Sequence, residues 1–209
     1  MNDIYNQSLV IIGGSFNPPT IAHLTLMTAA IEGVGATHGV FVPSNHTYVK
    51  RKMSRTDVPD TVYSEEERFA MLSAMCADDK RLSVDPLEYG YKMRSGNSLA
   101  TMNAIQDKNP STKLYFLFGG DKLKVFSKWK TFDEFVKKYR IIVFKREGID
   151  PEAEINKTAT LREHRDAFII LPSPLEIENI CSTMVRDRLS LGASVEEYLH
   201  PAVWKLICK

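Results

Sequence analysis

A glycine-rich segment that ends in a histidine is the part of this sequence best suited to chemistry. The segment Ile12-Gly-Gly-Ser-Phe-Asn-Pro-Pro-Thr-Ile-Ala-His23 follows the apolar run Leu9–Ile12 and leads into a helical pattern, Leu24–Ile31. Two glycines allow a tight turn and a close approach of the backbone to a ligand. Backbone N–H groups and the helix dipole favour an anion at the start of a helix. We therefore predict a phosphate loop between a buried strand and the first helix.

This loop matches neither of the two common phosphate fingerprints, G-x-G-x-x-G and G-x-x-x-x-G-K-[ST]. It has no third glycine and no following lysine, and its pattern is G-x-F-x-P-x-T-x-x-H. A tight turn followed by a core histidine is the alternative interpretation, but the strand-to-helix context favours a ligand site. The pattern resembles the loop of the nucleotidylyltransferase superfamily, with Thr20 and His23 at its two polar positions.

A second motif lies near the C-terminus. Ile180-Cys-Ser-Thr-Met-Val-Arg186 precedes a helical pattern that stops at Gly192. Ser182 and Thr183 are good N-cap residues and glycine is common just after a helix, which alone would indicate only a well-capped helix. Hydroxyls, backbone N–H groups and a guanidinium within one turn also form a clamp for a polyphosphate. The motif resembles the I-S-S-T-x-I-R signature of the same superfamily.

A third candidate site follows the apolar run Leu114–Phe118. Gly119, Gly120 and Asp121 could form a simple turn with a helix-capping acid. The mononucleotide adenylyltransferases of the superfamily have Gly-Ala-Asp at this place, and the resemblance implies that Asp121 contacts the adenosine ribose. It also puts Trp129 where these enzymes carry an aromatic that stacks on a pyridine ring. An indole face suits an electron-poor pyridinium.

The composition excludes several classes of partner. The chain has 209 residues and a formal charge of +1, so bulk electrostatics favours neither nucleic acid nor an anionic membrane. No apolar run approaches the ~18–20 residues of a membrane span, and the N-terminus has no signal-peptide pattern. The three cysteines lack C-x-x-C spacing, which argues against a disulfide framework and a zinc site. We expect a reducing, cytoplasmic compartment, with the nucleus an option in a eukaryote.

Apolar runs without strict alternation predict the strands, because a sheet covered on both faces requires them. These runs are Leu9–Ile12, Val40–Val42, Leu82–Val84, Leu114–Phe118, Ile141–Phe144 and Phe168–Leu171. They alternate with helical patterns at Ile21–Ile31, Glu65–Cys76, Leu99–Gln106, Phe132–Lys137 and Met184–Leu191. We predict an α/β fold with a doubly wound, Rossmann-like parallel sheet, and ligands beyond the carboxyl ends of its strands. The polar stretches Ser44–Asp60 and Asp150–Asp166 are predicted to be surface loops.

The resemblance extends over most of the chain and points to the nicotinamide/nicotinate mononucleotide adenylyltransferases. Their substrate loop, following helix, pyridine-nucleotide segment and C-terminal end are similar to Tyr48–Lys52, Ser64–Met71, Gly96–Thr101 and Gly192–Val203. This family implies one nucleotidylyltransferase domain over residues 1–209, with a C-terminal helical part, about 180–209, packed on it. It also implies transfer of the adenylyl group of ATP to nicotinate or nicotinamide mononucleotide. Asn97 in place of tyrosine, Gly120 in place of alanine, and Thr20 with Ala22 leave the choice between acid and amide open.

The implied reaction needs no covalent intermediate, so the protein has to align two anions and neutralise the charge that gathers between them. The resemblance implies that His23 and Arg186 are catalytic. The residues implied for ATP are Gly14, Ser15, Phe16, His23, Gly119, Asp121, Ser182, Thr183 and Arg186. Those implied for the mononucleotide are Ser15, Phe16, Lys50, Ser98, Thr101 and Trp129. No residue is assigned to a metal, because no carboxylate cluster is evident and Mg²⁺ is expected to be held mainly by substrate phosphates and water.

Three alternatives remain open. A sister transferase that uses phosphopantetheine or flavin mononucleotide would share the first and last motifs but has less reason for Trp129. A nicotinamide-dependent oxidoreductase would share the fold class but needs a different glycine spacing. A non-catalytic nucleotide-binding module would keep the glycines and lose His23 or Arg186, and both are present. The sequence also leaves open whether the chain forms a homo-oligomer.

Overall fold

A six-stranded parallel sheet forms the centre of the computed structural model, which describes residues 7–55, 62–91, 95–145, 148–174, 177 and 179–208. The strands are β1 Ser8–Gly14, β2 His38–Pro43, β3 Leu82–Val84, β4 Lys113–Gly119, β5 Arg140–Lys145 and β6 Phe168–Pro172. They lie in the order β3-β2-β1-β4-β5-β6, and every neighbouring pair is parallel. The predicted doubly wound α/β sheet is confirmed. Because the strand order reverses between β1 and β4, a crevice is expected at the carboxyl ends of these two strands.

Ten α-helices connect and cover the strands in the described residues. They are α1 Ile21–Val34, α2 His46–Met53, α3 Glu65–Cys76, α4 Ser98–Lys108, α5 Leu123–Phe126, α6 Phe132–Lys138, α7 Pro151–Lys157, α8 Ala159–Glu163, α9 Ser182–Ser190 and α10 Pro201–Ile207. Within this part of the chain, no helix is long and apolar enough to cross a bilayer.

The strands are continuous apolar runs because both faces of the sheet are buried. Successive residues point to opposite faces, so Val10 belongs to one core cluster and Ile11 to the other. The first cluster contains side chains of α1, α3, α9 and α10, and the second contains those of α4 and α6. The C-terminal helices therefore share a core with the beginning of the chain, and α10 packs on α3.

The two stretches predicted to be surface loops contain helices, so that prediction is wrong. Asn45 caps α2 by accepting a hydrogen bond from the Tyr48 N–H at 2.8 Å, and Asp150 caps α7 by accepting one from the Glu152 N–H at 3.2 Å. Each of these helices is polar and buries only one or two apolar side chains, too few to produce a helical period. Residues 56–60 of the first stretch lie outside the described residues.

Candidate active site

The phosphate loop joins β1 to α1 at the carboxyl edge of the sheet. Thr20 is the N-cap of α1 and His23 is its third helical residue. The Thr20 backbone N–H donates to His23 Nδ1 at 3.0 Å, and the Thr20 hydroxyl lies 2.8 Å from the same nitrogen. Because a backbone N–H can only donate, Nδ1 is an acceptor and the proton of the neutral ring is on Nε2. The helix cap therefore fixes the tautomer of His23.

His23 is neutral at physiological pH. Its pKa is lowered from 6.5 to about 4, mainly by burial of the ring and to a smaller extent by the nearby positive charge of Lys52, and a backbone hydrogen bond with Thr20 opposes part of this shift. The ring is half-buried and meets the Phe16 ring edge-on, with centroids 5.1 Å apart. Such an imidazole presents an Nε2–H donor suited to a phosphate oxygen. It is a poor general base, because Nδ1 is already an acceptor within the cap.

Three carbonyl groups of the loop are held by donors from α3 and α9. Arg68 Nη1 donates to the Ser15 carbonyl at 2.9 Å, and Arg186 Nη1 donates to the Asn17 carbonyl at 2.9 Å. The Ser182 hydroxyl donates to the Pro18 carbonyl at 2.8 Å. Both guanidinium groups are buried, with residue exposures of 0% for Arg68 and 5% for Arg186. The structure thus brings the first and last sequence motifs into direct contact.

The start of α9 differs from the prediction by one residue. Cys181 is the N-cap, with its sulfur accepting from the Met184 N–H at 3.5 Å, so the prediction of Ser182 or Thr183 as the cap is wrong. The reason is that Ser182 Oγ is directed back to the loop, whereas Thr183 Oγ1 accepts a hydrogen bond from Arg186 Nη2 at 3.3 Å. Gly192 follows the helix with φ +69°, as predicted for a glycine at that place.

Positive charge gathers beside the loop. Lys52 Nζ, at the end of α2, lies 3.4 Å from Ser15 Oγ. The pKa of Lys52 is lowered by burial of its ammonium group and by the positive charges of Lys122 and Arg186. Asp121 forms an ion pair with Lys122 at 2.6 Å and partly offsets this charge. Three cations against one carboxylate favour an anionic ligand here.

Lys52 is the lysine that contacts the loop, whereas the sequence pointed to Lys50. Lys50 is exposed on α2, and its assignment to the mononucleotide stays a prediction. The difference arises because two residues along a helix correspond to about 200° of rotation, so the two lysines face different directions. The sequence could have distinguished Lys50 from Lys52 only if helix α2 had been predicted.

A 3₁₀ turn, Gly120–Lys122, follows β4 and carries Asp121. A Cβ on Gly119 would lie 2.5 Å from Asp121 Oδ1, so a side chain there would displace the carboxylate. A Cβ on Gly120 would lie 3.1 Å from the Phe144 carbonyl, so a side chain there would require a small shift of its surroundings. A cleft of about 570 Å³ opens next to Asp121 and is bordered by Lys124, Ile149 and α7.

Two of the residues implied for the mononucleotide, Ser98 and Thr101, lie on α4. Thr101 is buried and its hydroxyl donates to Glu88 Oε1 at 2.7 Å, so the hydroxyl is used inside the protein. Ser98 is the half-buried first residue of α4, and Asn97 caps that helix by accepting from the Ala100 N–H at 3.3 Å. Asn97 therefore has a structural role as the N-cap of α4. The ligand roles of Ser98 and Thr101 stay predictions.

Trp129 lies between α5 and α6 at the rim of the second core cluster. Its ring meets Phe126 and Phe135 edge-on, with centroids 5.0 Å and 6.3 Å apart. The side chain is only half-buried, so part of the indole remains available to a ligand. The structure shows that Trp129 packs against the two phenylalanines. Its stacking on a pyridine ring stays a prediction.

Phe16 can meet a nucleotide only through its backbone, because its side chain is 2% exposed and packs on His23 and Phe41. Gly14 lies directly below that ring, since a Cβ there would come within 3.0 Å of it. These two residues therefore fix the start of the loop. Among the described residues, no group of three or more His, Cys, Asp or Glu side chains converges as a metal site.

Comparison with known proteins places the chain in a family. A family model described as cytidylyltransferase-like matches residues 11–188. The chain belongs to the cytidylyltransferase-like family. A member from Lachnoclostridium phytofermentans, named "Probable nicotinate-nucleotide adenylyltransferase", is 31% identical over 201 residues, 95% of each chain. A Clostridium botulinum member of the same name is 28% identical over 199 residues, 94% of each chain.

Solved structures share the fold of this cytidylyltransferase-like chain. A Plasmodium falciparum nicotinic acid mononucleotide adenylyltransferase complexed with NaAD has a TM-score of 0.71 at 17% identity, covering 97% of this chain and 95% of its own. The same enzyme complexed with APC has a TM-score of 0.72 at 16% identity, covering 97% and 94%. At these identities the likeness concerns the fold.

Proposed function

We propose that this protein transfers the adenylyl group of ATP to nicotinate mononucleotide, forming the dinucleotide and pyrophosphate. The observation that carries this proposal is the contact between the two distant motifs, in which Arg186 and Ser182 bind the carbonyls of the loop that presents His23. The positive charges of Lys52, Lys122 and Arg186 beside the loop suit a reaction between two phosphate-bearing substrates. The names of the relatives support nicotinate mononucleotide as the acceptor.

In this reaction a 5′-phosphate oxygen of the mononucleotide attacks the α-phosphorus of ATP in line. The new O–P bond forms while the bond from the α-phosphorus to the bridging oxygen breaks, and pyrophosphate leaves with that electron pair. The attacking oxygen is already anionic, so no proton has to be removed from it. This agrees with a neutral His23 that donates a hydrogen bond rather than accepts a proton.

The protein groups lower the barrier by alignment and by neutralising charge. We assign the α-phosphate to His23 Nε2 and the backbone of Ser15 and Phe16. Arg186 and Lys52 provide positive charge for the phosphates beside the loop. The guanidinium group of Arg186 is buried and held by the Asn17 carbonyl and the Thr183 hydroxyl, so it needs little reorganisation during the reaction.

We assign the adenosine to the side of Asp121, where the 570 Å³ cleft is of a size typical for small-molecule sites. Mg²⁺ would be held mainly by the phosphate oxygens of ATP and by water, because the described residues offer no cluster of three or more metal-ligating side chains. When bound, it would offset part of the negative charge of the phosphates. We further propose that the enzyme acts in the cytoplasm.

The test is to incubate the purified protein with ATP, Mg²⁺ and one acceptor at a time, namely nicotinate mononucleotide, nicotinamide mononucleotide, phosphopantetheine or flavin mononucleotide. Pyrophosphate release and chromatography of the product are measured. We expect the highest kcat/KM with nicotinate mononucleotide and loss of product in a His23→Ala control. A higher value with nicotinamide mononucleotide would reverse the acid preference, and product only with another acceptor would replace the proposed function.

A further inference from the structure

Arg68 is a buried cation that the sequence motifs do not include. It lies on the face of α3 that also carries Met71, Leu72 and Met75, and its residue exposure is 0%. Its Nη1 donates to the Ser15 carbonyl at 2.9 Å and its Nε to the Tyr63 carbonyl at 3.2 Å. A charged side chain on an apolar helix face is rare unless it has a specific partner. Here the partner is the backbone of the phosphate loop.

Further contacts hold this guanidinium in one orientation. Its carbon lies 5.4 Å from the centroid of the Tyr89 ring, in cation–π geometry. Its Nη2 is buried and has no hydrogen-bond partner in the described structure. A buried donor without a partner is uncommon and calls for an explanation, such as a functional role or an ordered water.

The Ser15–Phe16 peptide is the unit that Arg68 orients. In a trans peptide the carbonyl and the N–H point in opposite directions, so fixing the Ser15 carbonyl on Arg68 turns the Phe16 N–H away from α3. The other two held carbonyls, those of Asn17 and Pro18, precede prolines and have no N–H in the same peptide. Among these three units, only the one held by Arg68 can offer a donor to a phosphate.

The backbone at Phe16 requires such support. Its φ is +45°, a region that residues with a side chain adopt only when their surroundings enforce it. The buried Phe16 ring holds one side of the residue and Arg68 holds the peptide that precedes it. Without the guanidinium, this peptide would have a lower barrier to rotation.

We propose that Arg68 is a positioning residue for adenylyl transfer, which fixes the Ser15–Phe16 peptide so that the Phe16 N–H is aimed at the α-phosphate. This inference rests on the proposed function for the identity of the reaction. Arg68 acts through the loop, since the guanidinium itself is enclosed by Tyr63, Tyr89 and Ser15.

The test compares Arg68→Lys with two control variants. Lysine keeps the charge but cannot hold the Ser15 and Tyr63 carbonyls together. Leu72→Val removes one methylene from the same buried helix face and reports simple destabilisation, and Arg81→Lys makes the same substitution in a partly exposed ion pair with Asp79. The readouts are melting temperature, kcat, KM for each substrate, and hydrogen exchange of peptides covering residues 13–23.

We expect Arg68→Lys to lower kcat by about 10-fold or more, as for loss of a charge-assisted contact, with KM for the mononucleotide within about twofold of wild type. Exchange of the loop amides should become faster, whereas both controls should leave kcat and loop exchange close to wild type. The proposal is overturned if Arg68→Lys loses no more kcat than Leu72→Val, or if its loop exchange is unchanged. If the wild-type protein makes no dinucleotide, the proposed function fails, and loop exchange together with calorimetric binding of Mg·ATP still decides the role of Arg68.

Discussion

His23 shows how local structure sets the chemistry of a single residue. The Thr20 N–H commits Nδ1 to the role of acceptor, and burial holds the ring neutral. The residue can therefore stabilise developing charge on a phosphoryl oxygen only by donating from Nε2. The positive charge of the site comes from Lys52 and Arg186, which lie beside the same loop.

We predict that His23→Ala lowers kcat by about 100-fold or more while KM for ATP changes little, because a contact that strengthens in the transition state is lost. Steady-state kinetics with circular dichroism as a control for folding will test this. His23→Asn, which keeps an N–H donor on a short side chain, should retain more activity than alanine. Turnover near the wild-type value in a folded alanine variant would remove His23 from the reaction.

The depressed pKa of His23 also predicts how stability depends on pH. An unfolded His23 takes up a proton near pH 6.5, whereas the folded one does so only near pH 4. The unfolded state therefore binds more protons between these values, and stability falls as the pH falls through this window. Between pH 7 and pH 5 the loss attributable to His23 is at most about 2 kcal/mol.

Urea unfolding at pH 7, 6 and 5 measures this effect. The free energy of unfolding of the wild type should fall faster than that of His23→Gln, which has no titrating group at the position. Parallel curves for the two proteins would show that the histidine is not neutral when folded.

The sequence could identify His23 as a chemical residue, but not its protonation state or its partners. A motif specifies residue types along the chain, whereas Arg68 and Lys52 contact the loop from other helices. Arg68 could have been noticed as a charge among Met71, Leu72 and Met75 on one helix face. Its target, the Ser15 carbonyl, depends on tertiary structure and could not be read from the sequence.

At the scale of elements, α2 decides which lysine serves the site. Lys50 and Lys52 are both exposed on this helix, but within the described residues only Lys52, at the last turn, contacts Ser15. We predict that Lys52→Gln lowers kcat/KM by about 10-fold, since a charge-assisted phosphate contact is worth roughly 1.5–3 kcal/mol. Lys50→Gln serves as the matched control and should change kcat/KM by less than about twofold, because no hydrogen bond joins its ammonium group to the loop in the described residues.

Raising the salt concentration should narrow the difference between wild type and Lys52→Gln, because screening weakens electrostatic attraction of the substrates. If Lys50→Gln lowers kcat/KM more than Lys52→Gln does, Lys50 would be the residue that binds the phosphate of the mononucleotide.

The N-terminal turn of α9 acts through geometry as well as charge. Arg186 uses its two terminal nitrogens for the Asn17 carbonyl and Thr183 Oγ1, an arrangement that needs a planar fork. We predict that Arg186→Lys lowers kcat/KM for ATP by about 10-fold or more and also reduces the melting temperature, because the loop loses a buried donor. Arg188→Lys on the same helix is the control. An unchanged kcat/KM would make Arg186 a purely structural residue.

The strands were predictable because a parallel sheet buried on both faces leaves continuous apolar runs, and β3 matches its run at both ends. The helices α2 and α7 were not, because each is capped by a side chain and buries only two residues instead of a broad apolar face, and α8 was not, because it is a five-residue helix with a single buried residue. Helix α2, which carries Lys52, could therefore not be predicted from a pattern of apolar residues.

At the scale of the whole molecule, the site forms where distant parts of the chain meet. The hydrogen bond from Arg186 to Asn17 spans 169 residues, and His23 and Asp121 follow β1 and β4, the adjacent strands between which the strand order reverses. Two substrates that react across this crevice would contact both halves of the sheet. Substrate binding and the stability of the fold are therefore coupled. A residue that contributes to both has to be tested by measuring KM and the melting temperature of its variants.

Trp129 is such a residue. Its ring packs edge-on against Phe126 and Phe135 and is half-buried, so alanine should lower the melting temperature whatever its role in binding. If the exposed part of the indole stacks on the pyridine ring, Trp129→Ala should also raise KM for the mononucleotide by the equivalent of roughly 1–2 kcal/mol while KM for ATP changes little. Trp129→Phe should recover part of both losses.

Phe132→Leu, a change in the same aromatic cluster, controls for loosened packing. Equal increases in both KM values for Trp129→Ala and the control would assign the tryptophan to the core alone and reopen the choice of acceptor.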